Sequence, residues 1–119
     1  MERPTPLHVD KPWGSFDQFA LNERCTVKIL TCAPGCRLSL QRHRDRGELW
    51  VALDAGVVVD RDGETLTPAV GEQVWLPAGC SHRLRCEAGT PHAVRVLEVS
   101  FGTFDEADIE RLQDDYGRA

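Results

Sequence analysis

The stretch Leu38–Trp50, LSLQRHRDRGELW, brings an amide, an imidazole and a carboxylate close together in the chain: Gln41, His43 and Glu48. Side chains alternate faces along a strand, so Gln41 and His43 point the same way. The intervening RDRG reads as a turn, and Glu48 opens the next strand. A hairpin of that kind returns Glu48 beside the Gln41/His43 pair. Three donors facing one point need a fourth to complete a metal site. The remaining histidines are His8, His82 and His92. His82 is the best placed, because it follows the Pro-Gly turn in LPAGCSH. A neutral amide oxygen beside imidazole and carboxylate suits a borderline or hard ion such as Zn²⁺, Mn²⁺ or Co²⁺, held as a Lewis acid, better than a redox iron.

The elements that must position these donors read as strands. CTVKILTCA (25–33), RLSLQRH (37–43), ELWVAL (48–53), GVVVD (56–60), EQVWLP (72–77), SHRLRCE (81–87) and HAVRVLEVSF (92–101) recur about every ten residues, with Gly or Pro at most joints. RDG (61–63) is a hairpin signal. The spacing predicts an all-β sandwich or barrel. Residues 1–12 read as a Pro-punctuated arm or edge segment. Residues 103–117 differ: Thr103 with Glu106 forms a capping-box pattern, Ile109, Leu112 and Tyr116 share a helical stripe, and Gly117 ends it. One short C-terminal α-helix is the expectation there. Trp13, Trp50 and Trp75 read as core, and His8 and His92 as surface.

Two charged residues interrupt apolar strands. Lys28 lies in VKIL and Glu98 in VLEVSF. An inward charge is costly without a partner, so each is either turned to solvent or part of a pocket. Arg37 shares strand parity with Gln41 and His43, which places it on their face.

Composition bounds the function classes. The 119 residues allow a single domain over 1–119 with one core. With 41% apolar and 28% charged residues, the chain reads as an ordinary globule and not as a disordered one. The net charge of −5 and the lack of a Lys/Arg-rich patch exclude duplex nucleic acid and anionic membranes as expected partners. Met1–Lys11 is broken by Pro4 and Pro6 and charged by Glu2, Arg3 and Asp10. No signal-peptide run is read there, and a cytoplasmic location is expected. The five cysteines, Cys25, Cys32, Cys36, Cys80 and Cys86, are odd in number and lack zinc-finger spacing, so they read as small apolar residues.

Two ordered motifs carry a resemblance. Gly35, Gln41, His43 and Glu48 are followed by Gly71, Pro77, Gly79 and His82 in GEQVWLPAGCSH. These resemble the two cupin motifs, in which three metal ligands come from the first and one from the second. Gln in place of the first His, KPWGSF near the start, R-x-E-x-W at Arg46–Trp50 and YGR at the end resemble the cupin domain of type II mannose-6-phosphate isomerases, often fused to a mannose-1-phosphate guanylyltransferase. The resemblance runs from Lys11 to Arg118. It implies a double-stranded β-helix (jelly-roll barrel) and one divalent ion, with Zn the first choice and Mn, Co, Ni or Fe compatible. The implied ligands are Gln41, His43, Glu48 and His82. It also implies isomerisation of a phosphosugar, with Arg37, Lys28 and Glu98 as catalytic candidates and Arg46 and Arg118 as phosphate-binding ones, since Arg grips phosphate bidentately. The chain departs from the family's usual HHHRAEHW: Arg44, Asp45 and Leu49 stand where histidines are common, in positions expected to flank the pocket mouth. A metal-binding cupin that binds a small sugar or acid without turnover, or an iron dioxygenase, are the alternatives. Exposed strand edges that a neighbour's arm could cover point to a homodimer.

Overall fold

Alternating apolar and polar residues, broken at intervals by Gly or Pro, fold the described residues into strands and no helix. The computed structural model describes residues 3–118. A hairpin of β1 (Leu7–Lys11) and β2 (Gly14–Gln18) precedes two larger sheets. These are built from β3 (Cys25–Cys32), β4 (Leu40–Arg42), β5 (Arg46–Ala52), β6 (Val58–Arg61), β7 (Glu64–Leu66), β8 (Gln73–Leu76), β9 (His82–Arg85), β10 (Val94–Gly102) and β11 (Glu110–Gln113). The four-stranded sheet runs β3-β10-β5-β8 and the five-stranded sheet β11-β4-β9-β6-β7. The pairs β3/β10, β4/β9, β5/β8 and β6/β7 nest inside one another. This is the order a long hairpin takes when it rolls up into two facing sheets. The sheets are not hydrogen-bonded to each other. The all-β sandwich or barrel expected from sequence is a sandwich here, with the two sheets of the jelly roll facing each other and not closed.

The innermost joint follows local chemistry. Arg61 pairs Glu64 around Asp62 (φ 48°) and Gly63 (φ 81°). Two consecutive left-handed residues make the mirror-image turn whose twist suits a two-residue hairpin.

Between the sheets, Trp50, Ala52, Val57, Val59, Val74, Leu76, Leu84, Val94 and Val96 form the main core with Cys32, Cys80 and Cys86. A smaller cluster of Leu49, Trp75, Val99 and Phe101 lies against Phe19 and Ala20. All five cysteines are free; three are buried, Cys25 is half-buried and Cys36 is exposed. The core placement expected for tryptophan holds for Trp50 and Trp75. Trp13 is 73% exposed, because it sits at the tip of the β1–β2 hairpin with nothing beneath it. His8 and His92 are exposed, as expected.

The helix expected over 103–117 does not form. Instead, β11 joins the edge of β4, with Glu110 opposite Arg42 and Arg111 opposite Gln41. Arg42 grips Glu110 through two 2.9 Å hydrogen bonds. Asp105 accepts from Ala107 N at 2.9 Å, a local turn bond of the kind that competes with helix formation. Asp108 ties the segment to the turn before β5 instead, accepting from Arg44 N and Asp45 N at 2.9 and 2.8 Å. An unpaired strand edge then offers more than a short helix could gain alone. Leu112 and Tyr116, expected on a packed stripe, are exposed. No helix among the described residues is long and apolar enough to cross a membrane.

Candidate metal centre

The inner face of the four-stranded sheet is polar at one end. Register aligns Thr26, Ser100, Glu48 and Leu76 in one row, and Lys28, Glu98, Trp50 and Val74 in the next. Facing them, β4 sets Gln41 directly opposite His82 of β9, so the two share a face. His43 lies just beyond β4, and its carbonyl accepts from Gly79 N at 2.7 Å. Gly79 adopts φ +86°, the left-handed turn that Pro77-Ala78-Gly79 was expected to make before His82.

His43, Glu48 and His82 converge, with one ligand atom from each lying within 4.8 Å of the others. All three are 2–4% exposed. His43 Nε2 lies 3.5 Å from Glu48 Oε2, and His82 Nε2 lies 3.5 Å from Glu48 Oε1. The outer nitrogens fix the tautomers. His43 Nδ1 meets the Asp108 carbonyl at 2.7 Å, and His82 Nδ1 meets the Cys80 carbonyl at 3.2 Å. A carbonyl only accepts, so each Nδ1 carries the proton and each Nε2 turns a lone pair inward. His82 Nε2 is buried and has no hydrogen-bond partner. Two imidazole lone pairs and a carboxylate aimed at one point form a donor set that a divalent cation satisfies.

The neighbours tune that set. Trp50 Nε1 donates to Glu48 Oε1 at 3.2 Å, and Arg46 Nε donates to Glu48 Oε2 at 3.1 Å. Burial pushes the Glu48 carboxyl up, but His82 and a hydrogen bond from Glu98 outweigh it and hold the group below the usual carboxylate range. Glu98 moves the other way: burial, and then the Glu48 charge, push it up to about 8, so it is protonated at neutral pH and donates to Glu48. Burial lowers His43, which keeps the ring neutral and able to ligate.

A strap closes over the cluster. Phe104 lies under the Arg46 guanidinium (4.3 Å to the ring centroid) and the Lys28 ammonium (4.2 Å). Lys28 also pairs with Glu106 at 3.2 Å, and Arg46 donates to the Asp105 carbonyl at 3.2 Å. An open groove of about 520 Å³ runs beside the strap along Arg42, Arg44, Gly79 and Ile109, and it touches only His43 of the cluster.

The structure thus brings Gln41, His43, Arg46, Glu48, His82 and Glu98 to one region, with Lys28 at its rim beside the strap. Arg37 and Arg118 stand elsewhere. The pairing of β4 with β9 slips by one residue between Gln41↔His82 and Arg37↔Arg85, which flips side-chain parity. Arg37 therefore lies on the outer face and closes on Asp115 at 2.7 and 2.9 Å. Arg118 closes on Asp114 at 3.0 Å and lies 5.5 Å from the Tyr116 ring. Leu49 faces away from the centre into the smaller apolar cluster, so it does not flank a pocket mouth.

Three participants escaped the sequence reading. Trp50 was legible, since it shares strand parity with Glu48. Phe104 and Asp108 were not, because their roles arise only once the chain returns across β3, β4 and β5.

Residues 2–114 match the family "Mannose-6-phosphate isomerase C-terminal". The chain belongs to that family. Relatives of this domain include the alginate biosynthesis protein AlgA of Pseudomonas aeruginosa, 38% identical over 98% of this chain and 24% of the relative. The xanthan biosynthesis protein XanB of Xanthomonas campestris is 36% identical over 92% and 23%, and the mannose-1-phosphate guanylyltransferase ManC of Salmonella typhimurium is 35% identical over 92% and 23%. The chain thus spans about a quarter of these relatives. Among solved structures, a cupin protein from Bacteroides fragilis (TM-score 0.59, 12% identity, 87% of this chain and 80% of that one) shares the fold. So does the capsular polysaccharide assembling protein CapF of Staphylococcus aureus (0.63, 19%, 92% and 34%).

Proposed function

We propose that this chain is a metal-dependent isomerase that interconverts mannose 6-phosphate and fructose 6-phosphate, or a closely related phosphosugar. The observation that carries this reading is the buried convergence of His43, Glu48 and His82 beside a second, protonated carboxyl, Glu98, in a member of this family. His43, Glu48 and His82 would hold the ion, with the Gln41 amide as fourth ligand; Zn²⁺ is our first choice, with Mn²⁺, Co²⁺, Ni²⁺ or Fe²⁺ compatible. Bound there, the ion would supply Lewis-acid polarisation of the sugar carbonyl. Isomerisation also needs protons moved between C1 and C2 and between their oxygens. Glu98 and Lys28 face each other across β10 and β3. In this reading the ionised fraction of Glu98, a group pushed up to about 8, takes the proton from one carbon and returns it to the other, and the Lys28 ammonium exchanges protons with the substrate oxygens. Arg46 orients the substrate, and the Phe104–Asp108 strap lifts to admit it. Arg37 and Arg118, each closed on an aspartate, have no part.

The test is turnover of mannose 6-phosphate, with fructose 6-phosphate detected, on chelated protein and on protein reloaded with each metal. Metal-dependent turnover that His82→Ala and Glu98→Gln abolish is the expected result. A filled site without turnover would refute the isomerase. The closure of the cluster beneath the strap favours one other reading, a metal-binding cupin that holds a small sugar or acid without converting it. Saturable binding of such a ligand without turnover identifies that case.

A further inference from the structure

The open groove beside the strap is shaped by three fixed walls. The β4–β11 edge supplies Arg42 and Glu110, the turn before β9 supplies Ala78 and Gly79, and the strap supplies Asp108. Each wall is tied to the next by a backbone group. Gly79 N holds the His43 carbonyl at 2.7 Å, and the Asp108 carboxylate holds the amides of Arg44 and Asp45 at 2.9 and 2.8 Å. The turn side leaves room, since a Cβ built on Gly79 would meet nothing within 4 Å. His43 lines the groove and belongs to the cluster as well. A ligand lying there therefore has one end beside the candidate metal centre and the other near solvent.

The charges along this groove are unevenly spent. Both carboxylates are engaged: Glu110 on Arg42, and Asp108 on the two amides. The Arg42–Glu110 pair is half-exposed on both sides, and ion pairs in water are weak enough to exchange partners readily. Arg44 differs. Its nearest carboxylate, Asp45, stands 3.9 Å away, beyond hydrogen-bond reach, and its side chain is 88% exposed. Among the described residues its guanidinium has no hydrogen-bond partner, although its own amide is pinned by Asp108. A solvated arginine is ordinary on a surface. One with a fixed root and a free fork, on a groove that touches a ligand of the cluster, is placed to take an anion.

We propose that the groove holds the phosphate end of the substrate and that Arg44 is the residue that selects a phosphorylated sugar. The inference rests on the reading of the chain as a phosphosugar isomerase and adds where the phosphate lies. Arg44 grips the phosphate through its planar fork, and Arg42 leaves Glu110 to share the dianion. The sugar then runs inward past His43, so its carbonyl end reaches the cluster from the β4 side. Arg46 does not compete for the phosphate. It is 6% exposed and already bonded to Glu48 and the Asp105 carbonyl, so it stays with the reacting end.

The test is titration of the full chain, chelated so that no ion can take the anion, with inorganic phosphate, followed by amide NMR. The expected result is saturable binding that shifts the Arg44, Ala78 and Gly79 amides. Arg44→Ala should weaken it by about 10-fold to 100-fold, the loss of charge-assisted hydrogen bonds. Arg44→Lys should weaken it less, because the charge stays and only the fork is lost. Ala78→Trp, which fills the groove without changing charge, should weaken it too. Arg118→Ala, at a guanidinium closed on Asp114, should leave it intact. No binding, shifts confined to residues outside the groove, or binding that Arg44→Ala or Ala78→Trp leaves unchanged would overturn the proposal. On mannose 6-phosphate, Arg44→Ala should raise KM by the same factor with kcat within about twofold. Phosphate bound at Arg44 without any turnover would refute the isomerase and keep the anion site. Turnover with a KM that Arg44→Ala does not move would keep the isomerase and overturn the site.

Discussion

Glu48 is the residue on which the centre turns. It faces two imidazole lone pairs and accepts hydrogen bonds from Trp50, Arg46 and the protonated Glu98. A ligand carboxylate held by several donors keeps one orientation, and outer partners of this kind typically change metal affinity by about 10–100-fold when removed. Trp50→Phe deletes the 3.2 Å bond to Oε1 while leaving most of the ring's volume in the core. It should therefore weaken Mn²⁺ or Co²⁺ binding by about tenfold, measured by titration calorimetry, with only a small loss of stability. A loss of folding with unchanged affinity in the surviving fraction would assign Trp50 to packing alone. The donor residues were legible at this scale because identity and spacing sufficed: His43 and His82 follow turns whose chemistry is written locally. Arg37 was misplaced for a physical reason. A one-residue slip between β4 and β9 leaves no trace in either strand's own pattern, yet it reverses every side chain beyond it.

At the scale of elements, the segment after β10 shows a tertiary edge overriding a local preference. Its capping-box pattern and apolar stripe favour a helix, yet β4 offers an unpaired edge and Asp108 finds two backbone donors. Neither partner can be seen from within residues 103–117, so the helical reading failed where the strands of the sandwich, which carry their own alternation, did not. Asp108 ties the strap to the turn that carries His43. Asp108→Ala should cost about 1–2 kcal/mol by urea unfolding, as two backbone donors lose a charged acceptor. It should also speed amide exchange at Arg44 and Asp45 ahead of the rest of the fold.

The hairpin has its own lock. His8 bonds Asp17 at 2.7 Å and Asp10 at 3.1 Å, and these carboxylates raise its pKa above the ordinary 6.5. A raised folded pKa means that the contribution is fully present below 6.5 and is lost as pH rises through the folded value. Proton NMR of the imidazole should give a midpoint above 6.5 that Asp17→Asn, removing the first-ranked partner, moves back down.

The whole molecule divides its labour along the sandwich. One end is closed by Ala52, Val57, Val59, Val94 and Val96 and needs nothing further. The other buries three inward-facing acceptors: Arg46 reaches Glu48 at 3.1 Å and His43 Nε2 at 3.3 Å, and His82 Nε2 meets no donor among the described residues. Burying acceptors without a shared donor is unfavourable, so a cation bound only by the folded chain must stabilise the whole fold. At a hundred times its dissociation constant, such a ligand adds about 2.7 kcal/mol. For a domain of this size that corresponds to a rise on the order of 10 °C in melting temperature. The choice of ion matters, because five free cysteines in the unfolded chain would also chelate Zn²⁺ and mask the effect. Mn²⁺ favours oxygen and nitrogen donors over thiolate and avoids that competition. Scanning calorimetry of chelated protein with and without saturating Mn²⁺ should show the rise, and His82→Ala should abolish it. An equal rise in His82→Ala would locate the ion elsewhere; no rise in either would show that the three acceptors are satisfied within the chain, and the metal reading would fail with it.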